Sequence, residues 1–360
     1  MIAKKLKIAM IGMTHGHTRK YYDVLKNNPR LDWIAVSASD TNIKKNFLSC
    51  VQGIPCYDSE REMLDAHPEI EAVVLASENS ENLRLVRFCA ERKLHVLSMK
   101  IPTFDMKEYA EMERLVAESG IVFQIELELH YNPVVMRVKE LLKSNAVGTV
   151  EAFNATNITL SPVWAFPWQG IPEKSYGKRI PLKADSDKFR GGALCDHPHI
   201  FDLIRKATDS EFDVIFAKVA PNMRHEIEEE DMLAVVGRMK NGVIFSLDPS
   251  WSRSENKLEK PGPGWEVFPK RMEVNIVIHG SEGSLFADCF GPNDYYNGLP
   301  DERYTVQYIY FDEWVGLIDE FVENIEKKRL PKINLAWHKN TIRAMNAVYE
   351  SIFEEQPIRL

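Results

Sequence analysis

The sequence predicts two domains: an α/β Rossmann-like unit with a doubly wound parallel sheet, then an α+β unit with a large, mostly antiparallel open sheet. Three observations point there. Short apolar runs alternate with longer amphipathic segments through the first 150 residues. After Gly148, strand-like runs follow one another with little helix between them. And 360 residues, 44% of them hydrophobic, exceed what one ordinary core encloses. The boundary is expected after residue 130, giving domains 1–130 and 131–360, with the C-terminal helices able to pack back on the first.

Taken in order, the strands of the first domain are Leu6 to Ile11, Trp33 to Ser37, Ala72 to Ala76, His95 to Leu97 and Ile121 to Leu127. Each is a near-continuous apolar run, as strands covered on both faces require. Between them, "NSENLRLVRFCAERK" sets Leu83, Val86 and Ala90 at helical spacing, and "FDMKEYAEMERLVAESG" closes on Gly120, a natural helix C′ residue. "NPVVMRVKELLKSN" opens with Asn132 as N-cap and Pro133 at the first helical position.

The second domain contributes the strands "TVEAFNATNITL", "FDVIFAKVA", "DMLAVVGRM", "GVIFSLDPSW", "MEVNIVIHG" and "RYTVQYIYF", with Asn241-Gly242 as a hairpin turn. Two helices close the chain, Trp314 to Lys328 and Leu335 to Phe353. A sheet covered on one face leaves the other to be hidden, which predicts a homodimer or homotetramer formed through that open face.

Composition excludes several classes. A net charge of −8 argues against nucleic acid as a partner. No apolar run approaches the roughly 20 residues that cross a bilayer. The N-terminus lacks an export signal, and five scattered cysteines without a C-x-x-C read as reduced thiols, so a cytoplasmic protein with a small-molecule substrate is expected.

The segment after the first strand, "IGMTHGHTRK", stands where a glycine loop presents backbone amides and a helix N-terminus to a pyrophosphate. Gly12 makes the tight turn, Thr14 takes the position of close approach, and Gly16 comes one place early, with His15 and His17 between and after them. A His-x-His here also opens binuclear metal hydrolases, but these need further ligands at later strand ends, and Ala76 to Glu78 and Gln124 to Glu126 bring no histidine. The loop is therefore read as a dinucleotide contact without metal, and 1–130 as the dinucleotide-binding domain.

The order of segments resembles the Gfo/Idh/MocA family, the glucose-fructose oxidoreductase and inositol dehydrogenase type of nicotinamide-dependent enzyme. The resemblance is carried by "EAVVLASENSENLRLVRFCAERKLHVLSMKIP", "HYNPVVMRVKELLKSNAVGTV", "GGALCDHPHIFDLI", "HGSEGSL" and "AMNAVYESIFEEQPIRL". It implies hydride transfer between NAD or NADP and a secondary alcohol of a sugar, polyol or related compound. Gly12, Thr14, His15, Gly16, His17, Ser39, Asp40, Ser77, Asn79 and Lys100 are the implied cofactor contacts. Ala38 and Ser39 leave room for a 2′-phosphate that Lys44 or Lys45 can pair with, which tips the reading to NADP, although Asp40 suits the ribose hydroxyls of NAD.

Lys100 falls on the lysine of the family's Glu-Lys-Pro motif, here Met99-Lys100-Ile101-Pro102, and is implied to polarise the reacting oxygen. In "CDHPHIFD", His199 maps to the general base and Asp196 to its acidic partner, convergent if the turn is helical; His197 is the fallback. Asp202 orients its neighbours. His130, His197 and Trp168 are the substrate-side candidates, Trp168 lying in an aromatic and basic segment, Ser161 to Arg190. Three other readings stay open: an NAD-assisted glycoside hydrolase or lyase of the same family, a metal-dependent hydrolase or isomerase using His15, His17, His197 and His199, and a noncatalytic dinucleotide-binding regulator.

Overall fold

A computed structural model gives the architecture. The structure describes residues 4–15, 17–159, 191–223, 229–252, 272–290, 293–296, 303–306 and 312–360. They form two compact units, one running to Glu128 and rejoined by Trp314–Lys339, the other starting at Leu129 and including Asn340–Leu360.

The first unit alternates strand and helix: β1 (Leu6–Gly12), α1 (Thr18–Asn27), β2 (Leu31–Ser37), α2 (Thr41–Cys50), β3 (Cys56–Tyr57), α3 (Glu60–Ala66), β4 (Ala72–Ala76), α4 (Asn82–Glu91), β5 (His95–Ser98), α5 (Met106–Ser119) and β6 (Phe123–Ile125). Its six strands are all parallel in the order β3-β2-β1-β4-β5-β6, the doubly wound order with its switch point between β1 and β4. All five residues of β4 are buried, which explains the unbroken apolar run AVVLA. Helix ends follow local chemistry. The Asp105 carboxylate caps α5 by accepting from Lys107 N and Glu108 N, and Gly120 ends it at φ +69°.

The second unit holds α6 (Pro133–Lys143), β7 (Val150–Thr159), α7 (Ala193–Asp196), α8 (His199–Thr208), β8 (Phe212–Val219), β9 (Leu233–Met239), β10 (Ile244–Asp248), β11 (Met272–Gly280), β12 (Ser284–Asp288), β13 (Asn293–Tyr296) and β14 (Arg303–Val306). Then come α9 (Glu313–Glu326), α10 (Leu335–Glu354) and β15 (Ile358–Arg359). Its nine strands are ordered β14-β13-β12-β11-β7-β10-β9-β8-β15. The pairing is antiparallel except for β7 and β10, which run parallel at the sheet's centre, so the sheet is mostly antiparallel as expected. In β9, Leu233 and Val235 are buried while Ala234 and Val236 are exposed, the alternation of a sheet covered on one face.

The last helices divide between the units. Trp314 on α9 packs edge-on against Tyr21, and Gln124 Nε2 donates to Leu317 O, which ties α9 to α1 and β6 of the first unit. The start of α10 accepts the Tyr109 hydroxyl at Leu335 O, whereas Thr341 and Tyr349 further along serve the second unit. Among the described residues no helix is long and apolar enough to cross a membrane.

Candidate active site

At the switch point of the first unit, β1 leaves the sheet through Gly12 at φ +103°, where a Cβ would stand 2.6 Å from the Ser77 backbone. The backbone dihedral and the close approach both demand glycine. The next three amides, of Met13, Thr14 and His15, converge on Ala76 O at 3.0, 2.9 and 3.2 Å, and the Thr14 hydroxyl donates to the same oxygen. The loop is thus folded onto the end of β4, and Thr14 is engaged by protein. Gly16 lies outside the described residues. α1 starts with no side-chain cap and no acidic residue in its first turn, so its positive end suits an anion. Gly12 and this helix start fit a dinucleotide pyrophosphate.

Other expected cofactor contacts sit along the same edge. Ser77 Oγ donates to Asn82 Oδ1, whose amide in turn donates to Pro102 O, while Asn79 is buried in a short 3-10 turn. Asp40 lies three residues past β2 and caps α2, accepting from Asn42 N and Ile43 N. Lys44, expected beside a 2′-phosphate, is ion-paired with Asp58.

Lys100 follows β5 by two residues and is 2% exposed; the Lys100–Ile101 peptide is cis. Its amide donates to Glu126 Oε2 at 3.2 Å and its carbonyl meets His15 Nε2 at 3.1 Å. His15 Nδ1 accepts the His17 amide, which assigns the ring proton to Nε2. His17 Nδ1 lies 2.8 Å from Glu126 Oε1, and its ring packs edge-on against His15 and Trp314. Glu128 is buried beside Glu126. Burial first, then the Glu126 carboxylate, push the Glu128 carboxyl up to about 8, against the opposing pull of His17 and Lys100.

Glu126 and Glu128 were absent from the sequence-based site. Both stand in "QIELELHY": the apolar pattern set a strand over Ile121 to Leu127, which took in Glu126 and stopped before Glu128, whereas β6 spans Phe123–Ile125. Two acids at the end of a strand buried on both faces were the available signal. Candidate ligand atoms of His15, His17 and Glu126 lie within 4.8 Å of one another, with a carboxylate in the place of a further histidine. These groups are bonded to each other and to the main chain of Lys100 and His17, the arrangement of a hydrogen-bonded network.

On the second unit, the segment carrying Asp196, His197 and His199 is anchored at its start. The Glu230 carboxylate accepts from Gly192 N, Leu194 N and the Tyr349 hydroxyl, and Glu230 O accepts from Ala193 N. A Cβ on Gly192 would lie 2.0 Å from Glu230 O. Asp196 Oδ2 accepts from the Trp251 indole at 2.9 Å and lies 3.5 Å from His197 Nε2, which also lies 3.2 Å from Thr159 Oγ1. The helix breaks at His197 (φ −115°, ψ +48°), so Asp196 ends α7 and His199 begins α8. A shared helical face, the condition set for their convergence, is therefore not the local geometry. His197, the fallback, is the histidine that sits beside Asp196. His199 is buried.

His130 has both ring nitrogens committed: Lys139 Nζ lies 2.9 Å from Nδ1, and Nε2 donates to Asp202 Oδ2. Burial, then the Lys139 charge, hold its pKa below the ordinary histidine value. Asp202 further accepts from Arg205 and Thr341, so this group joins α6, α8 and α10 as a buried scaffold. Trp168 and the rest of Ser161 to Arg190 lie outside the described residues.

Comparison with known proteins gives two family matches. Residues 6–127 match a model described as "Oxidoreductase family, NAD-binding Rossmann fold", and residues 135–286 match "GFO/IDH/MocA C-terminal domain". Among curated proteins, the oxidoreductase YrbE of Bacillus subtilis is 23% identical over 230 residues, covering 62% of this chain and 57% of that protein. Myo-inositol 2-dehydrogenase of Thermotoga maritima is 22% identical over 316 residues, 84% of each chain. The chain thus spans 57% of the length of the first relative and 84% of the second. Among solved structures, an oxidoreductase from Agrobacterium radiobacter in complex with NAD+, L-tartaric acid and magnesium superposes with a TM-score of 0.78 at 16% identity, covering 99% of this chain and 98% of that one.

Proposed function

The chain belongs to the GFO/IDH/MocA oxidoreductase family, and we propose that it exchanges hydride between a nicotinamide cofactor and a secondary alcohol of a sugar, polyol or related compound. The observation that carries this reading is the buried Lys100 at the carboxyl edge of a 3-2-1-4-5-6 parallel sheet, beside a switch point closed by Gly12. The relative named myo-inositol 2-dehydrogenase supports the substrate class.

The cofactor supplies the hydride acceptor or donor when bound. Gly12 and the start of α1 hold its pyrophosphate; His15, His17, Ser77 and Asn79 line the same edge. Lys100 donates a hydrogen bond to the reacting oxygen and stabilises the charge that grows there. His199 takes the hydroxyl proton, and Asp196, at the end of α7, stands beside His197 as the fallback pair. NAD is favoured over the NADP expected from sequence: Lys44 is held by Asp58, and the Asp40 carboxylate beside the end of β2 opposes a 2′-phosphate. The sheet's open face, with Val236 and Ile244 at 45% and 59% exposure, supports self-association as a dimer or tetramer.

Steady-state assay against myo-inositol, other polyols and aldoses with NAD and NADP tests the reading. Turnover of at least one is expected, and Lys100→Met and His199→Asn each lower kcat by about 100-fold or more while retaining the wild-type unfolding midpoint within a few degrees. Turnover by both variants at the wild-type rate contradicts the assignment.

A further inference from the structure

We propose that His15 is a positioning residue for Lys100, its imidazole bridging the loop after β1 to the main chain of the lysine. The loop that meets the cofactor thereby also fixes the point from which the ammonium-bearing side chain departs. The inference deepens the proposed function and rests on Lys100 serving the reacting oxygen.

His15 is 4% exposed, and its main chain and ring are bonded in four directions. Its amide donates to Ala76 O at the end of β4 at 3.2 Å. Its carbonyl accepts from the Thr18 amide at 3.0 Å and the Thr18 hydroxyl at 2.6 Å, at the start of α1. Nδ1 accepts from the His17 amide at 3.1 Å, so the ring proton sits on Nε2 and is donated to Lys100 O at 3.1 Å. One residue thus joins β4, α1, its own loop and the end of β5. The ring spends both nitrogens on main chain, as a strut does and a ligand contact does not.

A second tie reaches the other side of the lysine. The Lys100 amide donates to Glu126 Oε2 at 3.2 Å, and Glu126 Oε1 lies 2.8 Å from His17 Nδ1. The two peptide groups flanking the Lys100 Cα are therefore both held from the loop, one by His15 directly and one through Glu126 and His17. A lysine ammonium rides on a flexible four-carbon stem, so it is aimed only as well as its Cα is fixed. Misplacing a reacting group by about 1 Å costs about 100-fold in rate. His15 acts on substrate through Lys100.

Two substitutions separate the bonds of the ring. His15→Asn keeps an acceptor for the His17 amide near the place of Nδ1 but is too short to reach Lys100 O. His15→Gln carries an amide donor out to the place of Nε2.

The test has two arms on the purified full-length protein. Hydrogen exchange read by mass spectrometry, without ligand, needs no turnover. Peptides spanning Lys100 are expected to exchange about 3- to 10-fold faster in His15→Asn, the loss of one hydrogen bond, and near the wild-type rate in His15→Gln. In the kinetic arm, His15→Asn lowers kcat about 10- to 100-fold while the NADH dissociation constant, from fluorescence titration, stays within about threefold; His15→Gln restores most of kcat. Unchanged exchange around Lys100 in His15→Asn overturns the strut. Wild-type kcat in that variant, or NADH affinity falling in step with kcat, overturns the positioning role. Equal loss of kcat in both variants overturns the bond to Lys100 O as its means. If the wild type turns over no polyol or sugar, the proposed function fails while hydrogen exchange still decides the strut.

Discussion

At Gly12 the left-handed φ and the Ser77 backbone 2.6 Å from a notional Cβ leave no room for a side chain. Gly12→Ala is expected to cost about 1–3 kcal/mol in dihedral strain alone, and more from the overlap, read as a lowered urea midpoint with loss of cofactor affinity. This residue and the strand-end position of Lys100 were legible in the sequence because strand ends and tight turns leave fixed marks. Glu126 was not, because its bond to the Lys100 amide forms only when β5 and β6 pair. Asp40 shows a different limit. An acid after β2 reads equally as a ribose ligand or a helix cap, and the fold uses it as a cap. Asp40→Ala should loosen α2 and, under the NAD reading, narrow the preference for NAD over NADP in kcat/KM; an unchanged preference would remove Asp40 from cofactor selection.

The short helix α7 depends on elements remote in sequence. Its first amides end on Glu230, which Tyr349 from α10 also contacts. Burial pushes the Glu230 carboxyl up to about 7 from an ordinary 4.5, so the folded state holds this proton more tightly than the unfolded chain. Stability from this group is present below pH 4.5 and is lost as pH rises through about 7. The unfolding midpoint of the wild type relative to Glu230→Gln should therefore fall across that window, and a difference independent of pH would contradict the assignment. Helices were the most readable elements: Asn132 and Pro133 open α6 and Gly120 closes α5 as the sequence predicts. Strands whose partners are distant were less so. β12, β13 and the two-residue β15 carry too little pattern of their own, and the parallel pairing of β7 with β10 depends on the crossover between them.

For the molecule as a whole, the two-part division follows from the change of rhythm after Gly148, while the place of Trp314–Lys339 in the first unit rests on contacts such as Trp314 with Tyr21. The open face of the nine-stranded sheet exposes Val236, Ile244 and Phe286. Light scattering is expected to give a dimer or tetramer, and Val236→Glu with Ile244→Glu to lower the mass; a wild-type monomer at micromolar concentration would refute pairing through this face. The most direct test of the central claim is isotope tracing. With myo-inositol or another accepted polyol deuterated at the reacting carbon, mass spectrometry of the nicotinamide should find the deuterium in the reduced cofactor, and Lys100→Met should slow the transfer as it slows turnover. Product formed without deuterium ever reaching the nicotinamide would contradict hydride transfer.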